Sequence, residues 1–172
     1  MQAHSQHDVF FLFLSSHYDS SNVKTAIANF QLVQKNAQAL FSFFDGIPRP
    51  FDDEMEKAFD ALYHQDFIHN MDGKPLNNAQ WKERLTAFAE IGTRASLLKF
   101  EPKDDVHFET GIRVINKNID VVGYSRGTVS GSLLLKIEPH KQSEAAYAMM
   151  QGQKQQVVHS DSEELTHIAN AQ

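Results

Sequence analysis

Apolar and polar positions alternate along this chain with two periods, and the change from one to the other falls at Arg94. Before it, apolar side chains return about every 3.6 residues, the helical repeat; after it they return about every second residue, the strand repeat. Over residues 22–44, Val23, Ile27, Phe30, Val33, Ala37, Leu40, Phe41 and Phe44 form one stripe, while Lys24, Asn29, Gln31, Lys35, Asn36 and Gln38 fill most of the rest. Ser20, Ser21 and Asn22 supply capping oxygens at its start, and Gly46 stands where the helix ends. Pro48 and Pro50 forbid continuation.

Asp52 then caps a second predicted helix with the stripe Met55, Phe59, Leu62 and Tyr63. Its acidic start, Asp52, Asp53 and Glu54, suits the positive end of a helix dipole, and this reading is preferred over a metal site. A short strand is predicted over 67–71, followed by a turn at Asp72-Gly73-Lys74-Pro75. Asn77 with Gln80 three residues on has the form of a capping box, and Trp81, Leu85 and Phe88 mark one face of a third helix that stops at Gly92.

Beyond Arg94 the pattern is that of an antiparallel sheet with one packed face. Leu98 and Phe100 alternate with Leu97 and Lys99, and Val106, Phe108, Thr110, Ile112 and Val114 oppose His107, Glu109, Gly111 and Arg113. Asn116-Lys117-Asn118 is a turn into a strand over 119–129, and Ser130-Gly131 a tight turn into the last strand, which Pro139 ends. Gly123 and Gly127 within a strand predict a bulge or sharp bend. The predicted architecture is α+β: three N-terminal helices packed on a curved antiparallel sheet, as one domain over 22–140. Residues 1–21 form an N-terminal extension whose apolar run, Val9 to Leu14, is expected to dock on the domain or a partner, and 141–172 a polar, Gln-rich tail.

Composition narrows the function. The chain of 172 residues has no cysteine, which excludes disulfides, thiolate metal sites and a Cys nucleophile. A net charge of -6 without a run of Lys or Arg argues against a grip on nucleic acid or an anionic membrane surface. No stretch has the length of a membrane span and the N-terminal run lacks signal-peptide flanks, so a cytoplasmic protein is expected. Thirteen Phe residues in so small a chain either wall a cavity or plug it.

Asp66-Phe67-Ile68-His69-Asn70-Met71-Asp72-Gly73, Trp81 in the helix that follows, and Gly127-Thr128-Val129 through Ile137-Glu138-Pro139 resemble SnoaL-like members of the NTF2-like superfamily. The resemblance spans about residues 22–140 and implies a cone with an apolar pocket. It implies a small apolar, cyclic ligand, cofactor-independent isomerase, cyclase or dehydratase chemistry, and a homodimer through the sheet. The superfamily also contains non-enzymatic dimerisation and interaction modules, and this alternative stays open. In the isomerase-like branch an Asp base sits just past the first strand. Matching Ala61-Leu62-Tyr63 to that branch puts Met71 there instead, with Asp72 one residue further and so on the opposite strand face.

His69 and Asp72 are therefore the candidate acid/base pair, with Tyr63, Phe67, Trp81, Phe88 and Tyr124 as candidate ligand contacts. A neutral His in an aromatic pocket can move a proton near working pH; the same residue also serves as a hydrogen-bonded structural histidine. Asp72 before Gly73 equally shapes a turn. Tyr124 and Arg126, or His107 and Arg113, either orient an anionic ligand or lie on the outer sheet face. No His, Asp and Glu grouping has metal-ligand spacing, and no cofactor is expected.

Overall fold

A computed structural model describes residues 20–71 and 73–140. The 1–19 extension with its apolar run, Asp72, and the tail from 141 lie outside the described residues. Helix α1 (Ser20–Phe41) is followed by α2 (Asp53–Leu62), β1 (Tyr63–Met71), β2 (Lys74–Asn77), α3 (Asn78–Glu90), β3 (Arg94–Pro102), β4 (His107–Ile115), β5 (Asp120–Ser130) and β6 (Leu133–Pro139). The strands form one six-stranded sheet in the order β2-β1-β6-β5-β4-β3. The three helices lie on one side of it, an α+β arrangement.

Local chemistry fixes the helix ends. Asp52 Oδ1 accepts from the Met55 amide at 2.9 Å and starts α2. At α3 the capping box is complete: Asn77 Oδ1 accepts from the Gln80 amide at 2.9 Å, and Gln80 Oε1 accepts from the Asn77 amide at 3.0 Å. Gly92 ends α3 at φ +70°, and an added Cβ would lie 2.8 Å from Pro48 Cδ and 2.9 Å from the Gly46 carbonyl. Backbone conformation and space both demand glycine there.

The sheet departs from the pattern-based expectation in three ways. First, β1 begins at Tyr63 rather than at residue 67: Tyr63 caps α2 and opens the strand, so helical and strand repeats overlap at one residue. Second, the expected turn after β1 is itself partly strand, with Met71 opposite Lys74 and His69 opposite Leu76. Pro75 is tolerated there because β2 is an edge strand. Third, β1 runs parallel to β6, with His69 beside Ile137, so the sheet is mostly antiparallel.

The register shifts between Leu97 and Lys99, between Thr128 and Val129, and on β1 between Tyr63 and Ile68, whereas Gly123 and Gly127 pair regularly with Ile112 and Phe108 of β4, so the expected bulge is not at the glycines. Gly127 has a different purpose. A Cβ there would lie 1.9 Å from Cζ of Phe108. The missing side chain makes room for a ring that stacks on Phe100 at 4.6 Å and meets Phe30 edge-on at 6.2 Å. These rings join α1 to the sheet, and the core continues through Val33, Leu40, Met55, Phe59, Leu62 and Phe67.

Candidate functional site

A cavity of about 580 Å³ opens between the helices and the concave face of the sheet. The inward positions of β4 and β5 provide one wall, with Thr110, Ile112 and Val114 on the first and Val121, Gly123 and Ser125 on the second. Alternation sends Val122, Tyr124 and Arg126 to the opposite, exposed face. The other wall is α3, whose Trp81, Arg84, Leu85 and Phe88 share one helical face and all line the cavity.

His69 enters from β1. It is only 7% exposed, and its ring stacks on Trp81 with centroids 4.0 Å apart and planes 21° from parallel. Two contacts hold α3 in register for this stack. Asn78 Nδ2 donates to the His64 carbonyl at 2.9 Å, and Lys82 Nζ donates to Glu56 Oε1 of α2 at 2.9 Å. Burial, with a smaller contribution from the Arg84 charge, pushes the His69 pKa down to about 4, so the ring is neutral at pH 7. Beside it, burial raises the Tyr63 phenol to about 12; the Trp81 indole pulls weakly the other way without reaching hydrogen-bond geometry.

Four buried side-chain polar atoms among the described residues have no hydrogen-bond partner, and three belong to residues on the cavity wall: His69 Nδ1, Trp81 Nε1 and Thr93 Oγ1. Buried polar groups are nearly always paired, because an unpaired one costs about 1–3 kcal/mol. Thr110 shows the usual solution, donating to the Lys99 carbonyl at 3.0 Å. Thr93 reaches its place because Gly92 turns the chain sharply from α3 into β3. At the rim, Lys74 and Arg84 line the cavity while their side chains stay exposed.

Of the residues singled out from sequence, Tyr63, His69, Trp81 and Phe88 are thus brought to one cavity. Phe67 is fully buried in the core against Tyr63, with centroids 4.5 Å apart, and is not on the cavity wall. Tyr124 lies on the outer face, 44% exposed, where its ring covers Gly111; it faces away from the cavity because β5 places odd-numbered residues inward. His107 and Arg113 are also outside, paired with Asp104 at 2.8 Å and Asp120 at 2.8 Å. Asp72 lies outside the described residues. Thr93, Ser125, Lys74 and Arg84 went unnoticed in the pattern. Arg84 carried a usable signal, standing three residues after Trp81 within the apolar stripe. Among the described residues no cluster of His, Asp or Glu has the makings of a metal site, and no helix is long and apolar enough to cross a membrane.

No family model and no curated protein matches the chain. Solved structures do. A de novo designed NTF2 fold protein aligns over 70% of this chain and 89% of its own, with a TM-score of 0.47 and 14% identity. A provisionally named SnoaL-like polyketide cyclase from Jannaschia sp. CCS1 aligns over 62% of this chain and 83% of its own, with a TM-score of 0.46 and 9% identity. An NTF2-like protein of unknown function from Exiguobacterium sp. 255-15 aligns over 62% and 98%, with a TM-score of 0.45 and 14% identity. Likeness at such identities and TM-scores assigns no activity. Helix, helix, a nine-residue strand with a short edge partner, helix and an antiparallel run, joined by the parallel pairing of β1 with β6, make up the α+β arrangement of this chain.

Proposed function

We propose that this chain is a SnoaL-like protein that binds a small apolar, cyclic ligand in the cone. The observation that carries the reading is the set of three unpartnered polar groups, His69 Nδ1, Trp81 Nε1 and Thr93 Oγ1, on residues lining a mostly apolar cavity. All three atoms are buried from water, and an indole N–H only donates, so a ligand that engages it presents an acceptor such as a carbonyl or hydroxyl oxygen. The volume lies in the range of small-molecule sites. Tyr63, Trp81 and Phe88 supply flat apolar surface for a ring system.

Any catalysis runs through His69 as a neutral hydrogen-bonding group, because a ring with a pKa of about 4 is a poor base at pH 7. Its part is to polarise a ligand oxygen, with Asp72 as the candidate proton acceptor. The test is a thermal-shift and calorimetric screen of cyclic ketones, lactones and phenols against wild type and His69→Ala. A ligand at 100 times its dissociation constant adds about 2.7 kcal/mol of stability. Hits that vanish in His69→Ala support the reading; silence in both proteins overturns it.

A second reading, a dimerisation module, draws on exposed Leu98, Val122 and Tyr124. Apolar side chains on an outer sheet face suit a second copy of the chain, and the two readings are compatible. Light scattering of wild type and Tyr124→Glu tests it: a wild-type dimer that the substitution dissociates supports the sheet interface, and a wild-type monomer overturns it.

A further inference from the structure

Resting on the cavity reading above, we propose that the ligand is an apolar molecule bearing one carboxylate, held at the rim by Lys74 and Arg84 with its ring system against Trp81 and Phe88. The chain as a whole is acidic, with 22 Asp and Glu against 16 Lys and Arg. Its cavity is the opposite. Among the described residues that line it, the charged ones are Lys74 and Arg84, and no carboxylate is present.

Elsewhere cations are commonly paired. Lys82 meets Glu56 and Asp60, Lys99 and Lys103 share Glu101 and Glu109, Arg113 meets Asp120, and Lys136 meets Glu138. Lys74 and Arg84 have no such pairing among the described residues. Their placement also follows from the elements that carry them. Arg84 lies three residues after Trp81 and four before Phe88, so the helix aims it with the apolar stripe rather than with its solvated side. Lys74 shares a strand face with Leu76, the cross-strand neighbour of His69. Two cations from different elements thus reach the rim of one apolar chamber.

The Arg84 charge is felt inside, since it helps to keep the His69 ring neutral. An anion beside Arg84 cancels that field. His69, Trp81 and Thr93 remain for the oxygens of the ring system, while the rim takes the charge through hydrogen bonds strengthened by it.

Trp81 is the sole tryptophan of the chain, so its fluorescence reports on this cavity alone. The test uses arylacetates of one, two and four fused rings and the matching primary amides. Each is titrated into wild type, the Lys74→Gln, Arg84→Gln double variant, and Arg84→Lys. At least one acid is expected to bind wild type about tenfold more tightly than its amide, the scale of a charge-assisted hydrogen bond. The preference should fall with added salt, vanish in the double variant through loss of acid affinity, and persist in Arg84→Lys. Unchanged thermal midpoints verify that the variants fold. Acids and amides binding alike, or a preference that survives the double variant, overturn the carboxylate assignment and leave the cavity reading standing. Binding by neither series overturns both.

Discussion

The His69 imidazole lies nearly flat on the Trp81 indole, 4.0 Å away, although the two residues come from an edge-side strand and from the helix after the hairpin. The stack buries an ionisable ring among aromatic groups and leaves Nδ1 facing no protein partner. Stability, pH response and the proposed ligand contact therefore meet at this pair.

The pH response has a definite sign. His69 has a folded pKa of about 4 against 6.5 when unfolded, so between those values the unfolded chain binds the extra proton. The contribution is complete above pH 6.5 and is lost as pH falls towards 4, amounting to roughly 3 kcal/mol at the low end. Urea unfolding from pH 7.5 to 4.5 should show wild type losing more stability than His69→Phe, with the difference confined to that window. Parallel curves would mean that His69 titrates normally.

Gly127→Ala should destabilise by about 1–3 kcal/mol or more, since the new methyl would meet the Phe108 ring at 1.9 Å. Thermal or denaturant unfolding measures it, and a neutral result would refute the close approach of ring to backbone.

Gly123 is the contrasting case. It lines the cavity, and an added Cβ finds nothing within 4 Å. Gly123→Leu should leave unfolding within about 1 kcal/mol of wild type, the range of a tolerated core change, while lowering affinity for any cavity ligand at least about tenfold, the equivalent of 1.4 kcal/mol. Retained affinity would place the ligand elsewhere.

Asn77→Ala removes one half of the capping box and should cost about 1 kcal/mol. Because α3 carries Trp81, fluorescence and circular dichroism should unfold together; a midpoint equal to wild type would refute the cap's contribution.

The features legible in the sequence were those governed by neighbours in the chain. Asp52 and the Asn77–Gln80 box act across three residues, and the helical stripes of α1 and α3 needed only their own period. His69 on the predicted strand, Tyr63 and Trp81 flanking it, and Phe88 on the stripe of α3 were singled out from their places in the chain, and the fold brings all four to one cavity. Tyr124 was misplaced because β5 has apolar residues on both faces, Val121 inward and Val122 outward, so alternation alone could not choose a side. Phe67 shares a strand face with His69, but core side chains enclose it, which period cannot reveal. Arg84 was passed over because a charge on a helix ordinarily marks the wet side. The parallel neighbour of β1 had no local signature at all, as it lies near the other end of the domain.

That last pairing governs the order of events in folding. Between β2 and β6, β1 has only a four-residue edge partner until the final strand arrives, so the sheet cannot close until synthesis has passed Pro139. Closure joins residues far apart in the chain, a pairing whose loop-closure entropy cost is higher than that of the hairpins. A nascent or truncated chain lacking β6 would carry the inner edges of β1 and β5 unpaired, a template for association with other copies.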